Sequence, residues 1–533
     1  MLARRLTIAI LLVSTLAVAA PPHARVKLDP FRGGSHTGAV CSGPGVRCLA
    51  HVVVDDTGSI RPAAAGEGWV PQDLWNAYQI DPNITTTPTV AIVDAYGYQN
   101  LESDLATYRA QFGLPACTVA NGCFTVLNQS GKTSPLPAEG GPSDDWTLET
   151  ALDVDMVSAA CPLCRIVVVQ ATNENGLFTA QTVAASAKPT VISDSWAGPE
   201  QGDESSMEQY FNHPGIAQFG SSGDDGWDDG GQGPMYPSTS AYVIAVGGTS
   251  LYSDSSARGF SEAAWAMAGS SCSNSIPKPS YQSNTSCTHR ASADISAVAD
   301  PQTGVIIYNA ANGGWLIMGG TSAAAPIVAS IFAETGNGAA TAAQIAQAAS
   351  SVLFDVTSGS NGSCGNVLCN AGTGWDGPTG YGTPSASALT GGSMTGSGGG
   401  GGGGSGGGLS VMVASPTDGS TVPEMFQVTA TATGAAIVGA FVDGVEIGQT
   451  SKAPYVFTAP HMGPGPHVVT VVAADAANDQ AQAMVQVVVT EPPPTAETGD
   501  SMAGGCSAGA SDPGLAVAFA LAIALVLVRR RLL

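Results

Sequence analysis

The chain has 533 residues, of which 44% are hydrophobic and 11% charged, so it can bury a large core and is long enough for two or more domains. Its 42 acidic residues outnumber 18 basic ones, which gives a net charge of -24. This balance argues against a nucleic-acid-binding protein, which needs a basic surface. It is compatible with solubility at mildly acidic pH, where many carboxylates are neutralised.

Residues 1–20 have the pattern of a signal peptide. Two arginines form a basic start, residues 6–18 are apolar, and small residues at 17–20 offer a cleavage site. The apolar run is short for a membrane span, so the pattern predicts export to an oxidising compartment. The Pro-, Gly- and Ala-rich residues 21–75 are interpreted as a short N-terminal arm or leader.

Ten of the eleven cysteines lie in close pairs along the chain. Local disulfides are the simplest interpretation, although the sequence alone does not fix their connectivity. The Cys161-Pro-Leu-Cys164 spacing would also suit a redox or zinc site, but no second such motif or histidine pair accompanies it. A structural disulfide is therefore favoured there, and Cys506 is left alone in the C-terminal tail. The close pairs are Cys41/Cys48, Cys117/Cys123, Cys161/Cys164, Cys272/Cys287 and Cys364/Cys369.

From residue 89 onward, continuously apolar runs alternate with segments of helical spacing. Such alternation predicts an α/β fold, in which helices cover both faces of a parallel sheet. The predicted strands cover residues 89–94, 165–171, 191–194, 217–221 and 242–246, and the predicted helices cover 100–112, 144–160, 178–188 and 322–334.

Two changes of composition mark the C-terminal part of the chain. Residues 391–408 are almost pure Gly and Ser, which cannot form a core, so they are predicted to be a flexible linker. Residues 409–490 contain short alternating strands separated by turns, which predicts a small all-β sandwich. This segment resembles bacterial immunoglobulin-like modules, and a spacer or adhesive role is the favoured interpretation.

Residues 491–533 form the predicted tail. A Pro/Thr/Glu stretch leads to Cys506, an apolar segment at 514–528 and three arginines. The apolar segment is shorter than the roughly 20 residues of a transmembrane helix. The combination resembles the bacterial sorting tails called MYXO-CTERM, which implies a transient anchor that is cleaved near Cys506. A simple C-terminal membrane anchor is the alternative, and both predict attachment to the cell envelope.

The sequence around Ser322, Gly-Gly-Thr-Ser-Ala-Ala-Ala-Pro, favours a nucleophile. Glycines allow a sharp turn and a close approach to a substrate. A serine at the start of a helix lies beside free N–H groups and the positive end of the helix dipole, which stabilise negative charge. The alternative is an ordinary serine N-cap.

A serine nucleophile needs a base, and the sequence supplies carboxylates rather than a histidine motif. None of the seven histidines lies in an HGTH-type string, which disfavours a Ser-His-Asp triad. Glu149 and Asp153 are four residues apart and share one face of a predicted helix with apolar neighbours. Burial and mutual repulsion would raise at least one pKa and suit a general base at acid pH. A solvated acidic face is the alternative.

Asp224 lies in the string Ser-Ser-Gly-Asp-Asp-Gly, directly after a short predicted strand. Such a turn would place it at the carboxyl edge of a parallel sheet, where sites of α/β proteins form. A protonated aspartate there could donate a hydrogen bond to a developing oxyanion. The alternative is a plain acidic turn.

Three motifs occur in the order found in the sedolisins, the serine-carboxyl peptidases: ETALDVD around Glu149, SSGDDG around Asp224 and GGTSAAAP around Ser322. The resemblance covers roughly residues 70–390, and the predicted peptidase domain spans 76–390. It implies a subtilisin-like fold and endopeptidase activity in the acid range.

By the same resemblance, Ser322 attacks the peptide carbonyl, Glu149 is the base, Asp153 orients it and Asp224 supplies the oxyanion contact. The implied partners are protein or peptide substrates, and a monomer is expected. Many sedolisins carry a long folded propeptide, which residues 21–75 are too short to provide.

The resemblance also implies one Ca²⁺ site late in the domain. Two carboxylates with backbone carbonyls would make an all-oxygen shell suited to this ion, and an acidic surface loop is the alternative. The implied ligands are Asp355, Val356, Gly372, Gly374 and Asp376.

A second function remains open: a catalytically weak or inactive surface-displayed adhesin or scaffold that binds through the immunoglobulin-like module. The complete set of predicted catalytic residues disfavours it. A histidine-dependent protease of the subtilisin type is a third hypothesis, disfavoured by the missing histidine motif.

Overall fold

The computed structural model describes residues 36–490, except residues 44, 142–144, 284, 392–409, 417–419, 444 and 475–479. The chain divides into two compact units between Thr395 and Gly396. The predicted signal peptide, nearly all of the predicted linker and the predicted tail with Cys506 lie outside the described residues. Among the residues that are described, no helix has the length and apolar character needed to cross a membrane.

The first unit mixes strands and helices. Its strands are β1 (His36–Ala39), β2 (Arg47–Cys48), β3 (His51–Val54), β4 (Thr89–Ala95), β5 (Phe124–Asn128), β6 (Arg165–Ala171), β7 (Val191–Asp194), β8 (Trp196–Pro199), β9 (Ala217–Ser221), β10 (Met235–Tyr236), β11 (Ile244–Ser253), β12 (Phe260–Ala264), β13 (Ser271–Pro277), β14 (His289–Ser292), β15 (Ile295–Val298), β16 (Val305–Asn309), β17 (Gly314–Gly319), β18 (Leu353–Phe354) and β19 (Thr383–Pro384). Its α-helices are α1 (Pro71–Tyr78), α2 (Leu101–Gln111), α3 (Trp146–Ala160), α4 (Leu177–Ser186), α5 (Glu204–Met207), α6 (Thr321–Glu334), α7 (Ala342–Val352) and α8 (Ala386–Gly391).

The core of this unit is a sheet with the strand order β12-β11-β9-β7-β4-β6-β5, and β15 also pairs with β11. The central strands are parallel, whereas β12 joins the edge antiparallel to β11. The strand β4 is buried along nearly its whole length, as expected for a strand that is covered on both faces. The predicted α/β fold with a parallel sheet is confirmed.

The prediction for residues 242–246 differs from the structure at both ends. The strand begins two residues later, because Tyr242 is 46% exposed, and it continues through Gly247 and Gly248 to Ser253. At these two glycines, other segments of the chain pack closely against the strand. A Cβ at Gly247 would lie 2.2 Å from the carbonyl oxygen of Pro378, and one at Gly248 would lie 2.6 Å from the Cβ of Ala299.

Residues 36–54, which we call the N-terminal hairpin, are strands of the first unit. β1 pairs antiparallel with β3, and β3 pairs antiparallel with β17, which in turn pairs with β16. Between them, β2 pairs antiparallel with β8. The hairpin therefore comes from the segment interpreted as an arm, and its strand pairing attaches it to the same unit as the central sheet.

Disulfides close all five of the predicted cysteine pairs. The shortest loop is Cys161–Cys164, which directly follows α3, so the CxxC motif is a structural disulfide in this fold. The interpretation of the cysteines as local disulfides is confirmed.

The second unit is all β. Its strands are β20 (Ser410–Ser415), β21 (Ser420–Val422), β22 (Gln427–Thr433), β23 (Ile437–Val442), β24 (Val445–Thr450), β25 (Tyr455–Thr458), β26 (Gly465–Ala474) and β27 (Gln480–Val489). They form one sheet of order β20-β22-β25 and another of order β21-β27-β26-β23-β24. Alternate residues of β22, β23 and β26 are buried, such as Val428, Val438 and Val471, which gives the two sheets a common apolar core. The predicted sandwich is confirmed.

Candidate active site

Two packed helices carry three of the four predicted catalytic residues. Glu149 and Asp153 lie one turn apart on α3, and both side chains are fully buried. The helix begins after Asp145, whose carboxylate accepts a hydrogen bond from the N–H of Thr147 as an N-cap. α3 packs against α6, which carries Ser322 in its first turn. The structure therefore brings the carboxyl pair and the serine to one place.

The start of α6 is shaped by Gly320, which precedes the helix with φ of 98°, a conformation that favours glycine. The Ser322 N–H is directed away from the helix and donates to the carbonyl oxygen of Leu49 at 3.0 Å. The Ser322 hydroxyl donates to the carbonyl oxygen of Ser195 at 3.1 Å. An N–H of the first helical turn thus already holds a peptide carbonyl beside the serine.

A cluster of buried carboxyl groups lies behind Ser322. Neither oxygen of Glu149 has a hydrogen-bond partner among the described residues, and the same is true of Asp94 at the end of β4. Asp153 accepts one hydrogen bond, from the Ser195 hydroxyl at 2.7 Å. Buried carboxyls with so few donors retain protons to a higher pH than exposed carboxyls do, and neighbouring carboxyls share the protons that remain.

Burial is the main cause of the raised pKa values in this cluster. It raises the pKa of Glu149 well above its usual range, and the neighbouring charge of Asp94 adds to the rise, whereas the hydroxyl of Ser322 opposes it. The pKa of Asp153 is also raised well above its usual range, first by burial and then by Asp94 and Glu149. Burial likewise raises the pKa of Asp94 to about 7. All three carboxyls of the cluster thus have raised pKa values, and burial is the main cause for each.

Asp224 lies near the same carbonyl. Its Oδ1 accepts hydrogen bonds from the N–H of Thr321 at 2.8 Å and from the hydroxyl of Thr321 at 2.7 Å. Its Oδ2 has no hydrogen-bond partner in the described part of the chain. The point where a Cβ would stand on Gly320 lies 2.6 Å from this Oδ2 and 2.2 Å from the carbonyl oxygen of Leu49. Burial raises the pKa of Asp224 well above its usual range, which favours the protonated, donating form.

A histidine also approaches this region, from the N-terminal hairpin. The Nε2 of His51 lies 3.7 Å from Asp224 Oδ2, and its ring packs edge-on against Trp265. Burial lowers the pKa of His51 to about 4. No hydrogen bond connects His51 to Ser322 within the described ranges. The imidazole therefore lies beside the predicted oxyanion residue, and the predicted base remains the carboxyl pair of α3.

Two further members of the site were not predicted to have a role. Ser195 contacts Asp153 through its hydroxyl and Ser322 through its carbonyl, and Asp94 adds a third carboxyl to the cluster. Asp94 ends a continuously apolar strand, so its position at a sheet edge was a usable signal. Ser195 follows the short strand β7 and has no comparable signal, because its role depends on where α3 and α6 pack.

The predicted calcium ligands lie in the loop between β18 and β19. Asp376 is fully buried and accepts hydrogen bonds from the N–H groups of Gly372 and Thr379, whereas Asp355 is exposed and accepts one from the N–H of Gly374. Each carboxylate thus accepts hydrogen bonds from backbone N–H groups of the loop and stabilises its conformation. Burial raises the pKa of Asp376 to about 7, with a smaller contribution from the charge of Asp355.

The donor set of this loop fits a hard cation. The carbonyl oxygens of Val356, Gly372 and Gly374 accept no hydrogen bond from the described residues. No group of three His, Cys, Asp or Glu side chains that could hold a metal occurs in the described part of the chain. A metal here would therefore need backbone oxygens beside two carboxylates, which is the chemistry that Ca²⁺ prefers.

Comparison with known proteins agrees with the fold. Residues 140–382 match the model of the subtilase family, and residues 410–471 match that of a bacterial Ig domain. The first unit therefore contains a domain that matches the subtilase family.

The branch of that family follows from individual relatives. The chain is 29% identical to kumamolisin of Bacillus sp. (strain MN-32) over 359 residues, which is 60% of this chain, and 30% identical to sedolisin of Pseudomonas sp. (strain 101) over 387 residues, which is 63% of this chain. It spans 63% of the length of each of these curated relatives. The crystal structure of Pseudomonas sedolisin, a serine-carboxyl proteinase, matches with a TM-score of 0.51 and 26% identity, over 61% of this chain and 97% of that one.

More distant relatives include tripeptidyl-peptidase 1 of Canis lupus familiaris, which is 30% identical over 188 residues, 29% of this chain and 32% of that protein. The first unit is thus similar to the sedolisins, the serine-carboxyl peptidases, in sequence and in fold, and the resemblance found in the three motifs is confirmed.

Proposed function

We propose that this protein is an exported serine-type endopeptidase that hydrolyses peptide bonds of proteins at acid pH. The observation that carries the proposal is the carbonyl of Leu49, which accepts a hydrogen bond from the Ser322 N–H at 3.0 Å and lies near the unpaired Oδ2 of Asp224. A peptide carbonyl bound by the Ser322 N–H near Asp224 occupies a position in which an oxyanion could develop. The buried carboxyl groups of α3 stand beside the serine to accept its proton.

Each residue takes one role in this mechanism. Ser322 attacks the carbonyl carbon, and Glu149 accepts the hydroxyl proton as the general base and later returns it to the leaving amine. Asp153 orients Glu149 and shares the proton of the cluster, held in turn by the hydroxyl of Ser195. Asp224 in its protonated form and the Ser322 N–H donate to the oxyanion.

An endopeptidase is favoured over a tripeptidyl-peptidase by the path of the N-terminal hairpin. The chain enters the site through β2 and leaves it through β3, so residues continue on both sides of Leu49. More than three residues precede Leu49 in this path, whereas an enzyme that removes tripeptides needs a cleft closed after the third residue. The site accommodates an internal stretch of extended chain.

The loop ligands Asp355, Val356, Gly372, Gly374 and Asp376 would hold one Ca²⁺ ion. When bound, the ion would neutralise the two carboxylates and tie the loop together. It would act as a structural ion, since these residues belong to a loop that is separate from the residues around Ser322.

Export is supported by the five disulfides of the first unit, because such bonds persist in oxidising compartments. We further propose that the protein is a monomer attached to the cell envelope through its C-terminal tail, with the immunoglobulin-like unit as a spacer. Fractionation of the producing cells would test this, and a cytoplasmic protein with free thiols would contradict it.

The activity is tested by proteolysis of an acid-denatured protein between pH 3 and 7, with wild type and the Ser322→Ala variant side by side. We expect wild type to produce internal fragments whose new termini lie far from the ends of the substrate. Ser322→Ala should be inactive at every pH. Equal activity of the two proteins would contradict the proposal, and release of tripeptides alone would replace the endopeptidase with an exopeptidase.

A further inference from the structure

Gln170 is a buried polar residue to which the mechanism above gives no role. It is the last residue but one of β6, and its side chain is fully buried. Neither the Nε2 donor nor the Oε1 acceptor of its amide has a hydrogen-bond partner among the described residues. Burial of an amide without a partner is unfavourable, and proteins rarely leave such a group unpaired. A partner for this amide is therefore to be sought among its neighbours in the sheet.

The register of the sheet places Gln170 beside Asp94. The two residues are partners in the parallel pairing of β4 with β6, so they lie roughly 4.8 Å apart and share one face of the sheet. Asp94 is also fully buried, and neither of its oxygens has a hydrogen-bond partner in the described part of the chain. The Thr150 hydroxyl approaches Asp94 and opposes the rise of its pKa, but it donates to the carbonyl oxygen of Trp146 at 2.8 Å. An amide and a carboxyl thus lie side by side.

The neighbour of Gln170 on the other side already has partners. Asn128 of β5 pairs with Gln170 in the register of β5 and β6. Its Nδ2 donates to a backbone carbonyl at 2.9 Å, and its Oδ1 accepts from the N–H groups of Ser130 at 2.9 Å and Lys132 at 3.0 Å. The side chain of Asn128 is thus bonded within the turn that follows β5, which leaves Asp94 as the partner of Gln170.

Other carboxyls that act on the catalytic pair differ from Asp94 in this respect. Their charges raise the pKa values of the pair, and they are Asp194 of β7 and Asp224. Asp194 Oδ2 accepts a hydrogen bond from the amide of Gln181 at 3.0 Å, and Asp224 Oδ1 accepts from both donors of Thr321. Of the three carboxyls outside α3 that act on the pair, only Asp94 lacks a donor within the described ranges.

A donor at Asp94 would change the protonation of the catalytic pair. The charge of Asp94 raises the pKa of Glu149 and of Asp153, so a negative charge on one carboxyl of this cluster disfavours a charge on the others. A hydrogen bond donated to Asp94 stabilises its ionised form, and Asp94 then carries the first negative charge of the cluster. The group that binds Asp94 thereby determines how long Glu149 keeps its proton as the pH rises.

The two side chains can be joined through water. No direct hydrogen bond connects Gln170 to Asp94 among the described residues. A water molecule accepts from an amide N–H and donates to a carboxylate oxygen at the same time, and buried waters typically make about three hydrogen bonds to otherwise unpaired groups. The unpaired amide and carboxyl supply both the donors and the acceptors that one such water needs.

We propose that Gln170 is a positioning residue of the candidate active site, whose amide binds Asp94 through one shared water molecule and so determines how protons are distributed between Asp94 and the Glu149/Asp153 pair. The coupling of Gln170 to Asp94 rests on the register of the strands and on their unpaired polar atoms. Its effect on catalysis rests on the proposed function as well.

The first readout measures the coupling without catalysis, in full-length Ser322→Ala protein. The infrared absorption of protonated carboxyl groups is followed against pH, and the contribution of Asp94 is identified by its loss in Asp94→Asn. Gln170→Met keeps the length of the side chain and removes the amide. We expect it to move the midpoint of the Asp94 band about one pH unit higher, which corresponds to the loss of one hydrogen bond to a charged group. An unchanged midpoint would overturn the proposal.

Asn128→Ala is the matched control for Gln170→Met. It removes the other polar side chain at this end of β5 and β6, together with its bonds to the following turn. We expect it to lower the melting temperature and to leave the Asp94 midpoint unchanged. A midpoint that moves equally in both variants would mean that a loosened sheet edge, rather than the amide of Gln170, causes the shift.

The second readout is the pH profile of kcat/KM in the active enzyme. In Gln170→Met, Asp94 stays neutral to a higher pH, so Glu149 loses its proton at a lower pH and the acid limb of the profile moves down. Asp94→Asn should move this limb in the same direction. Because Gln170 acts through Asp94, the double variant should move it no further than Asp94→Asn does. Additive shifts would show that Gln170 acts by another route and would overturn the proposal.

The shared water and the proposed function are tested separately. A high-resolution crystal structure of Ser322→Ala should show one water molecule within hydrogen-bond distance of both Gln170 and Asp94, and a site without it would overturn the water-mediated contact. If wild type cleaves no substrate but the Asp94 band shifts in Gln170→Met, the proposed function fails and the coupling stands. If wild type is active and the band does not shift, the coupling fails and the proposed function stands.

Discussion

The first unit contains two pairs of acidic residues that differ in the hydrogen bonds they receive. In the loop between β18 and β19, Asp376 is buried but receives hydrogen bonds from Gly372 and from both donors of Thr379. On α3, Glu149 is equally buried and receives no hydrogen bond from the described residues. A carboxylate supplied with donors organises a loop, whereas a carboxyl without donors remains free to exchange a proton. This difference in hydrogen bonding separates the predicted structural pair from the predicted catalytic pair more clearly than the spacing of the residues does.

The strongest test of the catalytic pair is Glu149→Gln. This change keeps the shape of the side chain and removes its ability to accept a proton, so kcat should fall by about 10²–10⁴-fold, the usual contribution of a general base. The melting temperature should stay equal or rise, because a buried acid is replaced by a neutral amide. The measurement is the rate of peptide cleavage at pH 4, together with thermal unfolding.

Glu334→Gln is the matched control for that change. Glu334 is a buried glutamate at the end of α6, and burial raises its pKa to about 9. Twelve residues of helix place it roughly 18 Å from Ser322. It should keep full activity, and a loss in Glu149→Gln of no more than the loss in the control would remove Glu149 from the mechanism.

Features of the fold and the site that depend on local sequence could be predicted, whereas features that depend on residues far away in the chain could not. The runs at Thr89–Ala95 and Arg165–Ala171 define their strands locally, because an apolar run bounded by polar turns has few alternatives. The catalytic motifs were also found, since each is a short string with its own turn or helix chemistry. The length of β11 was not, because it depends on the backbone of Pro378, more than 100 residues away.

The position of the N-terminal hairpin lay beyond sequence reasoning for the same reason. Its strands are two to four residues long and have no clear alternation, so no local pattern predicts them. They are strands because β8 and β17 offer unpaired edges, and those edges exist only after the first unit has folded. Ser195 likewise joins the site only through the packing of α3 with α6.

The structural pair is tested by removal of calcium. Binding at 100 times the dissociation constant would contribute about 2.7 kcal/mol to stability, which corresponds to a shift of about 4 °C in a domain of about 300 residues. We expect EDTA to lower the melting temperature of Ser322→Ala protein by about this amount, and added Ca²⁺ to restore it. Asp355→Asn, which removes the exposed carboxylate, should abolish most of the response. An unchanged melting temperature in EDTA would mean that the loop is held by its hydrogen bonds alone.

The smallest expected effect concerns Asp94, the third carboxyl of the donor-poor cluster. Burial raises its pKa to about 7, above the value of about 4 in an unfolded chain, so the folded state binds its proton more tightly than the unfolded state does. Its contribution to stability is therefore complete below about pH 4 and is lost as the pH rises through 7. Asp94→Asn, made in the Ser322→Ala background to prevent self-digestion, should melt above its parent at pH 7, where the parent has lost part of this contribution and the amide has not. At pH 4 the two should melt together, since both carry a neutral group at this position. A constant difference at both pH values would show that Asp94 does not titrate with Glu149 and Asp153. The contrast between the two acidic pairs would then rest on Glu149 alone.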